Sequence, residues 1–234
     1  MITLPNMIRT LLTIGLVTLA APLSAQMKPT KPAPALPKPS NVQVAITTSA
    51  GLILIELDRI HAPITAGNFL KYVDQKRFDG ISFYRRVQTP GVPDKGFIQG
   101  GTTDPKRVLP PIAHEPTTLT GLSHVDGALS APRWAPGTAR GDFTIIAGDA
   151  KWMDANPAAP GDSLGYAVFG RVVYGMDVVQ KILVAPVSPS KGEGVMRGQM
   201  LEPQVKIITA RRVPLILMPP PSILPSPSPT PRIN

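Results

Sequence analysis

The sequence predicts a mainly β fold, an antiparallel sandwich or closed barrel that carries two helices. Three observations predict it. Residues 42–213 contain many short apolar runs of period two. Only two runs have helical spacing. Gly, Pro, Asn, Asp and Ser punctuate the chain between runs, as tight turns require.

The elements follow in order. Val42, Val44 and Ile46 alternate with Gln43, Ala45 and Thr47, the pattern of a half-buried strand. Ser49-Ala50-Gly51 is a turn signal, and residues 52–57 return as a second strand. Pro63 suits a first helical position, and Ala66, Phe69, Leu70 and Val73 then form one apolar face. Strands are expected at 81–87, 97–100, 127–131, 143–147, 166–173 and 204–211. A second helix is expected over 176–182, with Val178, Val179 and Ile182 facing inward. Many short strands with few helices indicate a sandwich or barrel. There is no internal repeat.

The flanks differ in composition. Residues 1–25 read as a signal peptide: Arg9 precedes an apolar stretch at 11–21, and Ser24 and Ala25 suit cleavage before Gln26. That stretch is short for a membrane span. Residues 26–41 form a Pro- and Lys-rich linker, and 214–234 a Pro-rich C-terminal tail. An exported, periplasmic protein is the expectation. The chain has no cysteine, which excludes disulfides and thiol chemistry and suits an oxidising compartment.

The formal net charge is +9. All 15 acids lie within 42–213, whereas Arg9, Lys28, Lys31, Lys38 and Arg232 lie outside it. Much of the positive excess therefore sits in the flanks, which suits loose contact of basic tails with anionic envelope surfaces. No dense basic stripe with interleaved aromatics is present, so no nucleic acid partner is expected. His61, His114 and His124 lack metal-ligand spacing, and no phosphate-binding loop occurs, so no metal and no cofactor are expected. Gly161-Asp162-Ser163-Leu164-Gly165 fits a hydrolase nucleophile elbow, but that motif needs a strand before it and a helix after. Here Pro157 and Pro160 precede it and a strand follows, so it reads as a polar turn.

Several ordered runs carry a family resemblance. Ala62-Pro63 opens a helix containing Asn68-Phe69; then come Phe83-Tyr84-Arg85, Phe97-Ile98-Gln99-Gly100-Gly101, and the run from Gly165-Tyr166-Ala167-Val168-Phe169-Gly170 to Met176-Asp177-Val178-Val179. In this order they resemble the cyclophilins, in an exported bacterial-type branch. The resemblance implies a cyclophilin-like closed antiparallel eight-stranded β-barrel capped by two helices. It implies peptidyl-prolyl cis-trans isomerase activity on proline-containing polypeptides. A cyclophilin-like peptide-binding or chaperone module with little catalysis is the alternative. By the same resemblance Arg85 is the catalytic guanidinium and Gln99 orients it, while Phe83, Phe97, Asp142, Phe143, Trp152, Met153 and Tyr166 contact substrate.

These residue types suit the chemistry. Rotation about an X-Pro bond meets a barrier of about 18–20 kcal/mol because the amide is conjugated. At the top of that barrier the nitrogen loses conjugation, and its lone pair becomes a hydrogen-bond acceptor. A fixed guanidinium there binds the transition state better than either ground state. No nucleophile, proton transfer or metal is required. Several positions differ from the family pattern, among them Pro132 and Arg133, which stand where an Ala-Asn pair usually holds the substrate backbone. Arg85 and Gln99 are separated by residues 86–98, so a long proline-containing loop is expected over 86–96. Asp142 stands where a neutral Gln is usual, close enough to be expected in an ion pair with Arg85. Thr144 stands where a Phe is usual and is expected to make the proline pocket more polar.

Overall fold

The computed structural model describes residues 41–102 and 104–214. The segments read as signal peptide, linker and tail lie outside the described residues, apart from Asn41 and Pro214. Among the described residues there are eight strands: β1 (Asn41–Thr48), β2 (Gly51–Asp58), β3 (Ser82–Thr89), β4 (Val92–Gly101), β5 (Ala128–Ala131), β6 (Phe143–Ala147), β7 (Ala167–Tyr174) and β8 (Met200–Val213). Every pairing is antiparallel, and the order β1-β2-β7-β5-β6-β4-β3-β8 closes when β8 returns to β1. Closure removes the free edges that would invite aggregation. Two helices, α1 (Pro63–Asp74) and α3 (Met176–Leu183), join a single helical turn, α2 (Thr117–Thr120), that had no clear sequence signal.

Local chemistry explains the elements. Thr48 closes the first hairpin: its Oγ1 accepts from the amides of Ala50 and Gly51 and donates to the Gly51 carbonyl. Inward positions then fill the barrel with Val44, Ile46, Ile53, Ile55 and Leu57. Phe69 of α1 enters the same core and meets Phe78, Phe143 and Phe169 at ring-centroid distances of 4.9, 5.2 and 5.5 Å. The Phe69–Phe143 pair is edge-to-face, the arrangement favoured by aromatic quadrupoles. Helix α3 adds Val179, Ile182 and Leu183.

Strand β6 separates two apolar regions. Phe143, Ile145 and Ala147 belong to the barrel core. Ile146 belongs instead to a second cluster with Ala128, Met153 and Val168, flanked by Phe97, Leu122 and Tyr166. Alternation along the strand sends successive side chains to opposite faces. The second cluster therefore lies on the outer face of the barrel.

The segment 86–96 is not a loop, contrary to the sequence expectation. Strand β3 continues to Thr89, β4 begins at Val92, and Pro90-Gly91 makes the turn. Arg85 and Gln99 are fourteen positions apart yet directly paired across this hairpin. Gly96 permits it: φ is +144°, and an added Cβ would lie 1.9 Å from the Val87 carbonyl oxygen. No side chain can stand there.

Helix α1 starts with Pro63 and has no capping side chain of its own. Glu115, only 4% exposed, supplies the acceptors from a distant segment. Its Oε1 takes the Ile64 amide at 3.0 Å, and its Oε2 takes the Thr65 amide at 2.7 Å and the Thr65 hydroxyl at 2.6 Å. A carboxylate at a helix N-terminus also meets the favourable end of the helix dipole. Glu115→Ala orphans these buried donors and is expected to cost about 2–3 kcal/mol. Urea denaturation checks this as a lower midpoint at unchanged slope; a loss under about 0.5 kcal/mol would contradict it.

Candidate active site

The site begins with an irregularity in β3. Phe83 pairs with Gly100 and Arg85 pairs with Gln99, so Tyr84 is an extra residue opposite nothing. The pairing of β3 with β8 shifts at the same place. A bulge of this kind re-aims the side chains around it. Phe83 enters the core with no exposed surface, whereas Tyr84 and Arg85 both reach Gln99 on the outside.

Arg85 is held on two sides. Its Nη1 donates to Gln99 Oε1 at 2.9 Å. Its Nε and Nη2 both donate to Gln199 Oε1, at 2.8 and 2.6 Å. Three of the five N–H groups of the guanidinium are thus assigned, and one on each terminal nitrogen remains. The guanidinium lies over the Phe97 ring, 5.4 Å from its centroid. Burial lowers its pKa from the ordinary value, but an arginine stays charged across the working range.

Gln99 is 6% exposed and joins two partners. Its carbonyl accepts from Arg85, and its Nε2 donates to the Tyr84 hydroxyl at 2.6 Å. Burial, together with the negative charge of nearby Asp142, raises the pKa of Tyr84. Burial also pushes Asp142 up to about 6. Asp142 makes no ion pair with Arg85, contrary to expectation; the partners of the guanidinium are Gln99 and Gln199. The physical reason is that these two glutamines hold the guanidinium from both sides.

The outer cluster forms a wall beside the guanidinium. Phe97, Met153 and Tyr166 meet there. Met153 and Trp152 lie on one 3-10 turn, Lys151–Met153; Met153 faces the cluster, while Trp152 is 76% exposed. The Tyr166 amide donates to the Met153 carbonyl at 3.0 Å and fixes the turn against the start of β7. Asp154 anchors the turn from behind, accepting from Ser123 Oγ at 2.5 Å and from the His124 amide at 3.0 Å. Arg133 is committed to the loop before Tyr166: it donates to the Gly165 carbonyl, makes a two-point pair with Asp162 and lies over the Tyr166 ring.

Two residues expected at the surface of the site are elsewhere. Phe83 and Phe143 are buried inside the barrel, edge to face at 5.5 Å. Each occupies an inward position of its strand, so neither reaches the guanidinium face. Thr144 does not make an exposed pocket polar, since it is 2% exposed and its hydroxyl donates to the Ser130 carbonyl at 3.2 Å. Ser163 Oγ donates to the Ala159 carbonyl at 2.6 Å rather than to a histidine, so the hydrolase geometry is not formed. Sequence reasoning missed the part played by Tyr84, although it lies inside the quoted run. It also missed Gln199, for which neither spacing nor periodicity gave a signal.

Comparison with known proteins agrees with this architecture. A family model described as cyclophilin type peptidyl-prolyl cis-trans isomerase/CLD matches residues 43–211. A peptidyl-prolyl cis-trans isomerase of Acinetobacter baylyi is 36% identical over 154 residues, covering 64% of this chain and 76% of the relative. Peptidyl-prolyl cis-trans isomerase A of Dickeya dadantii is 34% identical over 154 residues, covering 64% and 75%. The fold is similar to that of a crystallised cyclophilin type isomerase of Cryptosporidium parvum, with a TM-score of 0.58, 17% identity, and coverage of 75% of this chain and 99% of that one. With a closed eight-stranded barrel and a family match over residues 43–211, well over half of its length, the chain belongs to the cyclophilin-type peptidyl-prolyl cis-trans isomerase family.

Proposed function

We propose that this chain catalyses cis-trans isomerisation of X-Pro bonds in exported polypeptides, with Arg85 as the catalytic group. One observation carries the reading: a guanidinium fixed by Gln99 and Gln199 keeps two N–H groups unassigned beside an apolar wall. The proline ring rests on Phe97 and Met153, with Tyr166 and exposed Trp152 bounding the peptide. The prolyl nitrogen then faces Arg85. As the bond twists, the nitrogen becomes pyramidal and accepts from the guanidinium, an interaction absent from both planar ground states. Preorganisation matters here because Arg85 need not be reoriented during the reaction.

Gln199 belongs to the same machinery in this reading. Two donors converge on its single carbonyl oxygen, which sets both the position and the plane of the guanidinium. Its own backbone is pinned, since the Gln199 carbonyl accepts from the Arg86 amide at 3.0 Å.

Export is part of the proposal and rests on residues 1–25, with the mature chain beginning at Gln26 in a periplasmic compartment. Proline-containing polypeptides that fold there are the substrates, and the basic flanks favour loose contact with anionic envelope surfaces.

Arg85→Ala is expected to lower kcat/KM on a tetrapeptide X-Pro substrate by about 10²–10³-fold, the loss typical of a transition-state donor. Its circular dichroism should be unchanged. Activity retained within about twofold would overturn the assignment, and saturable peptide binding without any wild-type turnover would favour the chaperone reading. Gln199→Ala should cost about tenfold in kcat with little change in KM, because one orienting hydrogen bond system is lost; an unaltered kcat would count against its role. Expression with a cleavable leader should yield a periplasmic product whose N-terminal sequence begins at Gln26. A full-length product confined to the cytoplasm would refute export.

A further inference from the structure

His124 has no exposed surface, and its backbone grips the 3-10 turn Lys151–Met153 at both ends. Its carbonyl accepts from the Ala150 amide at 2.8 Å, just before the turn. Its amide donates to Asp154 Oδ1 at 3.0 Å, just after it. The imidazole adds two further bonds. Nδ1 lies 2.5 Å from the same Asp154 oxygen, and Nε2 lies 2.8 Å from Ser130 Oγ in β5.

The direction of each bond follows from the groups involved. Burial lowers the pKa of His124 below the ordinary histidine value, which keeps the ring neutral near pH 7. A carboxylate only accepts, so Nδ1 carries the proton and donates to Asp154. Nε2 is then an acceptor, and the Ser130 hydroxyl donates to it. Asp154, His124 and Ser130 have the composition of a nucleophile triad. Ser130 is 0% exposed, however, so no substrate reaches its hydroxyl. What the line of bonds does is join a strand to a turn.

We propose that His124 is a positioning residue: its imidazole ties the Lys151–Met153 turn to β5 and so sets the place of Met153 in the wall that receives the proline ring. The proposal rests on the reading of Phe97 and Met153 as that wall.

The barrel end of the tie is firmly held. Ser130 pairs with Thr144 of β6 and with Val168 of β7, and its carbonyl accepts from the Thr144 hydroxyl. The turn end is short, since only Lys151, Trp152 and Met153 stand between the two backbone grips. A shift of the ring is therefore passed on to Met153 rather than absorbed. The Tyr166 amide also holds the Met153 carbonyl, but it joins the turn to the start of β7 and not to β5. The backbone bonds fix the shape of the turn, and the ring fixes where it sits on the barrel. A wall touches the proline ring in the planar ground states and in the twisted state alike. Displacing it removes uniform binding, which raises KM and spares kcat. Gln199 acts on the guanidinium and has the opposite signature.

The test is steady-state kinetics on a tetrapeptide X-Pro substrate with His124→Leu, His124→Asn and Ser130→Ala. All are made in a Trp134→Phe background, which leaves Trp152 as the only tryptophan and its indole N–H as a reporter of the turn. His124→Leu removes both ring bonds, and KM is expected to rise about tenfold with kcat within about twofold. The Trp152 resonance should shift in the same variant. His124→Asn keeps a donor for Asp154 and loses only Ser130, while Ser130→Ala cuts that bond from the other side. Each should raise KM about threefold at unchanged kcat, with a smaller shift of the same resonance. An unchanged KM in all three variants, or a Trp152 resonance that stays in place in His124→Leu, overturns the proposal. A fall in kcat at constant KM, the mark of a smaller folded fraction, overturns it as well. Should His124→Leu not fold, the two milder variants decide by the same criteria. Absence of wild-type isomerisation would sink the isomerase reading instead; the dissociation constant of the peptide, followed through Trp152, then takes the place of KM.

Discussion

Strand β3 carries the constraint on which the site depends. In a regular strand Phe83 and Arg85, two positions apart, would point to the same face. One of them must fill the barrel and the other must stay outside it. The extra residue at Tyr84 resolves the conflict by shifting the register against both β4 and β8. Phe83 then completes the aromatic core, and Arg85 emerges with Tyr84 toward Gln99. Without the bulge, either a guanidinium would be buried among phenylalanines at high desolvation cost, or the core would lose an aromatic ring.

The rest of the site is arranged around that emergence. Outward positions of β4, β6 and β7 build a second apolar cluster, and the 3-10 turn carrying Met153 folds onto it. Gly96 lets the backbones of β3 and β4 approach closely enough for Gln99 to meet Arg85 directly. Gln199 arrives from the segment preceding β8 and holds the guanidinium from the opposite direction. The result is a fixed cation beside an apolar wall, which is what stabilising a twisted prolyl amide requires.

Much of the fold was legible because its signals are periodic. Val44 and Ile46 in β1, and Phe69, Leu70 and Val73 in α1, occupy the buried positions their spacing implied. The site was legible less evenly. Alternation identifies two faces but cannot say which one is inside, and the family resemblance alone puts Phe83 and Phe143 at the wall, although both lie in the core. Residues 86–96, between the expected strands, read as a loop because Pro90, Pro93 and Gly96 are turn residues, whereas here a turn and a register shift absorb them. Asp142 is expected on Arg85 because charge complementarity is visible in sequence, while the two glutamines that hold the guanidinium instead carry no such signal. Gln199 contacts Arg85 across 114 positions, and no local pattern encodes such a contact.

The most direct test of the central claim is a crystal structure of the chain bound to a blocked X-Pro peptide. The account predicts the proline ring against Phe97 and Met153, the two remaining N–H groups of Arg85 directed at the prolyl nitrogen, and the bonds from Arg85 to Gln99 and Gln199 intact. A proline ring seated away from that wall, or an Arg85 guanidinium turned from the prolyl nitrogen, would contradict it.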